Sequence, residues 1–240
     1  TKTGSSIKPR NIVSFGCSWA YGDELVDPEL EKQGIQAHCI ENDSYRLNHC
    51  YTGVLAYHYD LSQENLAFPG ASLQSMQWNL MWWLDNHTDE YINNSVLLVG
   101  LTEESRFSWY NPLHESVGND PDWNKHQHSV WLHESSDNID SGWFKLHKHY
   151  LNMTACDELY DLNYKTTARI FDGIGSVYKI PVVQFNLLSQ NSIDIDTLHD
   201  INTRNILKNH YKKHGHPTEE GHRIIANSLK EILNSELRFT

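Results

Sequence analysis

The chain has 240 residues, 39% of them hydrophobic and 21% charged, and its 19 lysines and arginines against 31 aspartates and glutamates leave a formal net charge of −12. That length suits one α/β domain with a substantial core, so residues 1–240 are read as a single domain. The acidic balance excludes the clustered Lys and Arg that nucleic-acid binding needs, no apolar run approaches the ~20 residues of a membrane span, and residues 1–10 lack the apolar stretch of a secretory signal, so a cytoplasmic protein is expected.

Asn11-Ile12-Val13-Ser14-Phe15 is a short β-prone run that ends at Gly16, where the chain must turn sharply. Leu47, Tyr51, Leu55 and Tyr59 recur every fourth residue, which predicts one helix over 44–59 with Ser44 as its cap. An extended segment over 63–68 is stopped by Pro69-Gly70, after which Leu73, Met76, Leu80 and Trp83 predict a second helix. Ser95 to Gly100 is the clearest buried strand, and the run from Pro181 to Leu188 is its companion. Residues 150–178 read as largely helical, and the tail over 218–233 carries Ile225, Leu229 and Leu233 on one stripe.

Strands alternating with helices imply a mostly parallel sheet covered on both faces, that is, a three-layer α/β/α doubly wound fold. Residues 107–150 interrupt the alternation with Trp109, Trp123, Trp131, Trp143 and six histidines in a loop-like composition. This segment is read as a long Trp/His-rich insertion bordering the site, its aromatic faces suited either to stacking on sugar rings or to packing on the domain. The pairs His126/His128 and His147/His149 lack the companion ligands of a familiar metal site, so no metal is expected. Cys17, Cys39, Cys50 and Cys156 have no CxxC spacing and are read as free thiols.

Two places in the chain suggest chemistry. Ser18 follows the first strand directly, so it falls at the carboxyl end of the sheet, where open α/β folds place their sites, although a serine there also suits a helix cap. A tight strand-to-helix turn exposes its hydroxyl beside N–H groups able to stabilise an oxyanion. Near the other end of the chain, His216 precedes Pro217 and the last helix and is placed to take a serine's proton. Cys17 is the less favoured nucleophile. Asp23 and Glu24 either touch a substrate or, the favoured reading, form a solvated acidic loop, and Arg106 either clamps an anionic substrate or pairs with Glu103 or Glu104.

Together these segments resemble the SGNH (GDSL-type) hydrolases. Gly16-Cys17-Ser18 is similar to that family's first block, Asn65 through Gly70 to Ser72 to its second, and His216-Pro217 with Gly221-His222 to its last. The resemblance implies a flavodoxin-like fold, hydrolysis of an ester of a small molecule or a glycan, and no cofactor. It implies Ser18 as nucleophile, the N–H groups of Ser18 and Gly70 as oxyanion donors, and His216 as general base and then acid.

Two positions depart from the family. Gly100-Leu101-Thr102-Glu103 stands where the third block has Gly-x-Asn-Asp, which leaves Thr102 as the replacement oxyanion donor. Lys213 stands where the family carries the acid of its triad. The imidazole must therefore find another acceptor, among them Asp194, Asp196, Asp200 or a backbone carbonyl, or work as a Ser-His dyad. Otherwise the chain is a ligand-binding protein on the same scaffold, or an assembly component whose insertion is an interface.

Overall fold

A computed structural model describes residues 9–102, 157–187, 198–199, 201, 203, 208–212 and 215–237. The elements are, in order, β1 (Asn11–Phe15), α1 (Ser18–Tyr21), α2 (Pro28–Lys32), a 3₁₀ turn (Ile40–Asn42), α3 (Asp43–His49), α4 (Tyr51–Tyr59), β2 (Ser62–Asn65), α5 (Leu73–Asn86) and α6 (Asp89–Asn93). They continue with β3 (Ser95–Leu101), α7 (Asp157–Tyr178), β4 (Val182–Asn186), β5 (Leu198–His199) and α8 (Glu219–Leu237).

All five strands are parallel, in the order β2-β1-β3-β4-β5. This is the flavodoxin-like arrangement, in which the connections reverse direction between β1 and β3. The register assigns the two faces. Phe15 lies beside Val99, and Val99 beside Gln184, so these three share a face. Phe15 packs edge-on against Trp83 of α5 and Phe171 of α7, while the Gln184 amide donates to Ala168 and Asp172 of α7. Gly100 and Phe185 form the next row and face the other way. There Phe185 meets Tyr51 of α4, and Tyr51 meets His222 of α8. Helices α5 and α7 thus cover one face and α4 and α8 the other, giving the three layers.

Both faces of β3 are covered, and every residue from Val96 to Val99 is fully buried, as the unbroken apolar run requires. Leu73, Met76, Leu80 and Trp83 are the buried stripe of α5, and Ile225, Leu229 and Leu233 that of α8. A fully buried side chain of this kind contributes ~1.5–3 kcal/mol. The single helix expected over 44–59 is instead two, α3 and α4, hinged at Cys50 in an extended conformation. The reason lies at Gly53, where a Cβ would stand 1.9 Å from the Leu47 carbonyl oxygen, so α4 turns back against the end of α3 at a distance only glycine permits. Cys17, Cys39 and Cys50 are free thiols, while Cys156 and the segment 107–150 lie outside the described residues.

Candidate active site

The carboxyl ends of β1 and β3, where the winding reverses, are the expected place for a ligand. Gly16 makes the turn out of β1, and a Cβ on it would meet the Ala20 Cβ at 2.6 Å and the Gly100 carbonyl at 3.2 Å. Cys17 is fully buried, and Ser18, 8% exposed, opens α1. As the first residue of α1, Ser18 has an N–H without an acceptor inside the helix.

The chain after β2 stays beside β1. Leu66 N–H donates to the Ser14 carbonyl and Phe68 N–H to that of Gly16, which carries Pro69-Gly70 to the same sheet edge. Asn65 ties this segment to α1 by donating from Nδ2 to the Ala20 carbonyl at 2.9 Å. Ala71 N–H donates to the Phe68 carbonyl, closing a turn with Pro69 and then Gly70 at its centre; Gly70 has φ +90°, the value that demands glycine at the third position of a type II turn. Ser72 and Ser75 then form a reciprocal capping box that starts α5. Thr102 leaves the end of β3 fully buried, and its hydroxyl has no hydrogen-bond partner among the described residues. Arg106, Asp194, Asp196, Asp200 and Lys213 lie outside the described residues.

His216 is presented by a tight turn before α8. Lys212 N–H donates to the His216 carbonyl, Thr218 N–H to that of His210, and Tyr211 bridges to Pro217. The Tyr211 ring lies 5.6 Å from that of Trp19, fixing this turn against α1. The imidazole meets the acidic pair that the sequence reading left to solvent: Nδ1 is 2.8 Å from Glu24 Oε2, and Nε2 is 3.7 Å from Asp23 Oδ2. The pair is therefore not a solvated acidic loop. Asp23 and Glu24 are only about one-fifth exposed in their side chains (23% and 20%), because the turn after α1 folds them under His216. The same turn binds the serine segment, since Asp23 N–H donates to the Ser18 carbonyl at 2.9 Å.

His222 is fully buried beneath this layer. Its Nδ1 accepts the Tyr51 N–H at 3.2 Å, supplying from α8 an acceptor for the start of α4, where the Cys50 side chain gives none. Burial first, and the neighbouring His216 second, push its pKa down to about 3, so the ring is neutral with its proton on Nε2. Among the described residues, no group of three or more His, Cys, Asp or Glu side chains is disposed to hold a metal ion, and no helix is long and apolar enough to cross a membrane.

Comparison with known structures returns carbohydrate esterases and lipolytic proteins of the G-D-S-L family. One is a carbohydrate esterase whose active site displays divergent catalytic and non-catalytic binding functions, at 13% identity and TM-score 0.49 over 95% of this chain and 65% of that one. Another is a lipolytic G-D-S-L protein from Veillonella parvula, at 11% identity and TM-score 0.40 over 93% of this chain and 98% of that one. A third is the acetyl xylan esterase Est2A from the rumen bacterium Butyrivibrio proteoclasticus, at 10% identity and TM-score 0.43 over 97% of this chain and 65% of that one. The chain therefore spans about two thirds of the length of these two esterases. No protein-family model matches the chain, and no curated protein matches it by sequence.

Among the sequence-derived candidates, Gly70 is brought to the β1 edge, and Ser18 and His216 are each bound to the turn after α1. Sequence reasoning missed Glu24. Its partner is 192 positions away, and no spacing within the Gly22-Asp23-Glu24 turn announces it. The available signal was indirect: two adjacent carboxylates a few residues after the serine.

Proposed function

We propose that this chain is an ester hydrolase of the SGNH kind, folded as one domain, with Ser18 as nucleophile and His216 as base. The observation that carries the reading is the Ser18–Glu24 segment, which binds the Ser18 carbonyl through Asp23 and the His216 imidazole through Glu24 at the carboxyl edge of β1. A nucleophile and its base need to be held in one place before substrate arrives.

In the proposed reaction Ser18 Oγ attacks the ester carbonyl while Nε2 of His216 takes its proton. The oxyanion that forms is held by N–H groups of Ser18 and Gly70, with the Thr102 hydroxyl as a further donor. Collapse expels the alcohol, which receives the proton from His216. Water, deprotonated by the same imidazole, then attacks the acyl-enzyme and releases the acid, returning the proton to Ser18. The substrate class proposed is an acyl ester of a polar alcohol, a carbohydrate among them, with residues 107–150 bordering the site. Support comes from composition alone: the segment holds four tryptophans, a residue type that stacks on sugars, and follows Arg106, a residue type that pairs with anionic groups.

A fluorophosphonate probe with parallel hydrolysis of short-chain aryl acetates tests the reading. The wild type is expected to label and to turn over, and Ser18→Ala and His216→Ala to do neither. A folded wild type that does not label overturns the hydrolase. That result favours ligand binding without turnover, a second reading supported by the full burial of Thr102 at the position of an oxyanion asparagine.

A further inference from the structure

We propose that Glu24 is the positioning residue for His216, filling the role for which position 213 carries no carboxylate. The proposal rests on the hydrolase reading and adds to it the group that sets the base. Glu24 Oε2 stands 2.8 Å from Nδ1, inside the range of a charge-assisted N–H to carboxylate bond. Such a bond keeps the imidazole proton on Nδ1 and leaves Nε2 with its lone pair open to accept a proton, which is what a serine's base requires. Asp23 is the only other carboxylate in reach among the described residues, and at 3.7 Å from Nε2 it lies beyond hydrogen-bond distance and on the wrong nitrogen to orient the ring.

The backbone supports the assignment independently. Glu24 has φ +63°, a left-handed conformation that residues other than glycine seldom adopt. Residues in sparsely populated conformations persist only where their surroundings hold them, and here the surroundings are explicit. Asp23 Oδ1 accepts the Glu24 N–H, Leu25 N–H donates to the Gly22 carbonyl, and the Leu25 side chain is buried. On the other side Arg46 donates to the Tyr21 carbonyl and stacks on the Tyr21 ring at 3.7 Å. The segment from Ser18 to Leu25 is thus one braced unit that carries the nucleophile at its start and the carboxylate six residues later. The acid travels with the nucleophile rather than with the base.

The test compares wild type, Glu24→Gln and Glu24→Asp in aryl acetate hydrolysis, with the ¹⁵N spectrum of the His216 ring recorded at mildly alkaline pH. Glu24→Gln is expected to lose turnover by a factor on the order of 10² to 10⁴ with KM nearly unchanged, since an amide cannot stabilise the imidazolium or enforce the tautomer. The wild-type spectrum is expected to have its proton on Nδ1, Glu24→Gln to lose that preference, and Glu24→Asp to recover part of the rate. A folded Glu24→Gln enzyme with wild-type kcat overturns the proposal, and so does a wild-type spectrum with the proton on Nε2. Were Glu24→Gln to unfold, the wild-type spectrum alone decides. A wild type that neither labels nor hydrolyses overturns the hydrolase reading, a result told apart because it precedes any change at Glu24.

Discussion

At the scale of single residues, the site edge depends on backbone positions as much as on functional groups. Gly70 illustrates this, because its φ of +90° is closed to a residue with a Cβ at ordinary cost. Gly70→Ala is expected to lower stability by about 1–2 kcal/mol, as a side chain forced into left-handed backbone does. Its effect on turnover is expected to be larger, about 10²-fold, since the displaced N–H is one of the proposed oxyanion donors. Thermal melts beside kcat for an aryl acetate check both, and turnover that merely tracks the loss of stability removes Gly70 from the donors. Gly70 could be named from sequence because the stretch from Asn65 to Ser72 resembles a known block and is continuous in the chain. Glu24 could not, since an acidic pair in a loop looks the same whether it faces water or an imidazole.

Between elements, the described structure was legible wherever burial is continuous and obscure wherever a local break or a side-chain bond decides. The apolar run of β3 and the stripes of α5 and α8 follow directly from the need to cover a parallel sheet. The division of α3 from α4 follows from one backbone contact at Gly53, which periodicity does not register. The joint between β2, α5 and α6 is of the second kind. Glu64 Oε2 accepts the Trp83 indole N–H at 3.0 Å and the Tyr91 hydroxyl at 3.1 Å, with His87 Nε2 at 3.4 Å. Burial, with Glu64 beside it, raises the Tyr91 phenol above its ordinary range and keeps it a donor. Glu64→Ala strands the donor of a fully buried tryptophan and that of a half-buried tyrosine. It is expected to cost about 2–3 kcal/mol in urea denaturation, with Glu64→Gln recovering much of it because an acceptor oxygen remains. A loss near zero would mean that water replaces the carboxylate at this joint.

Over the whole molecule, the last helix and the turn before it close onto the first third of the chain: His216 on Glu24, His222 on the start of α4, and the Tyr59 hydroxyl on Asn234. These pairings join residues 171 positions apart or more, so no local window of sequence contains them. The second has a consequence for folding as a function of pH. His222 is neutral in the folded chain down to about pH 3, against an ordinary value of 6.5. Below pH 6.5 the unfolded chain takes up a proton at this position that the native chain refuses, so protonation favours unfolding. Stability from this group is therefore fully present above about pH 6.5 and declines by about 1.4 kcal/mol per unit as the pH falls toward 3. His222→Gln is expected to be less stable at neutral pH, because the smaller, flexible amide replaces a buried ring whose Nδ1 accepts the Tyr51 N–H. Its dependence on pH across the same interval is expected to be shallower by one proton. Urea denaturation of both proteins at a series of pH values reads the two slopes, and identical slopes would mean that His222 takes up its proton while the fold is intact.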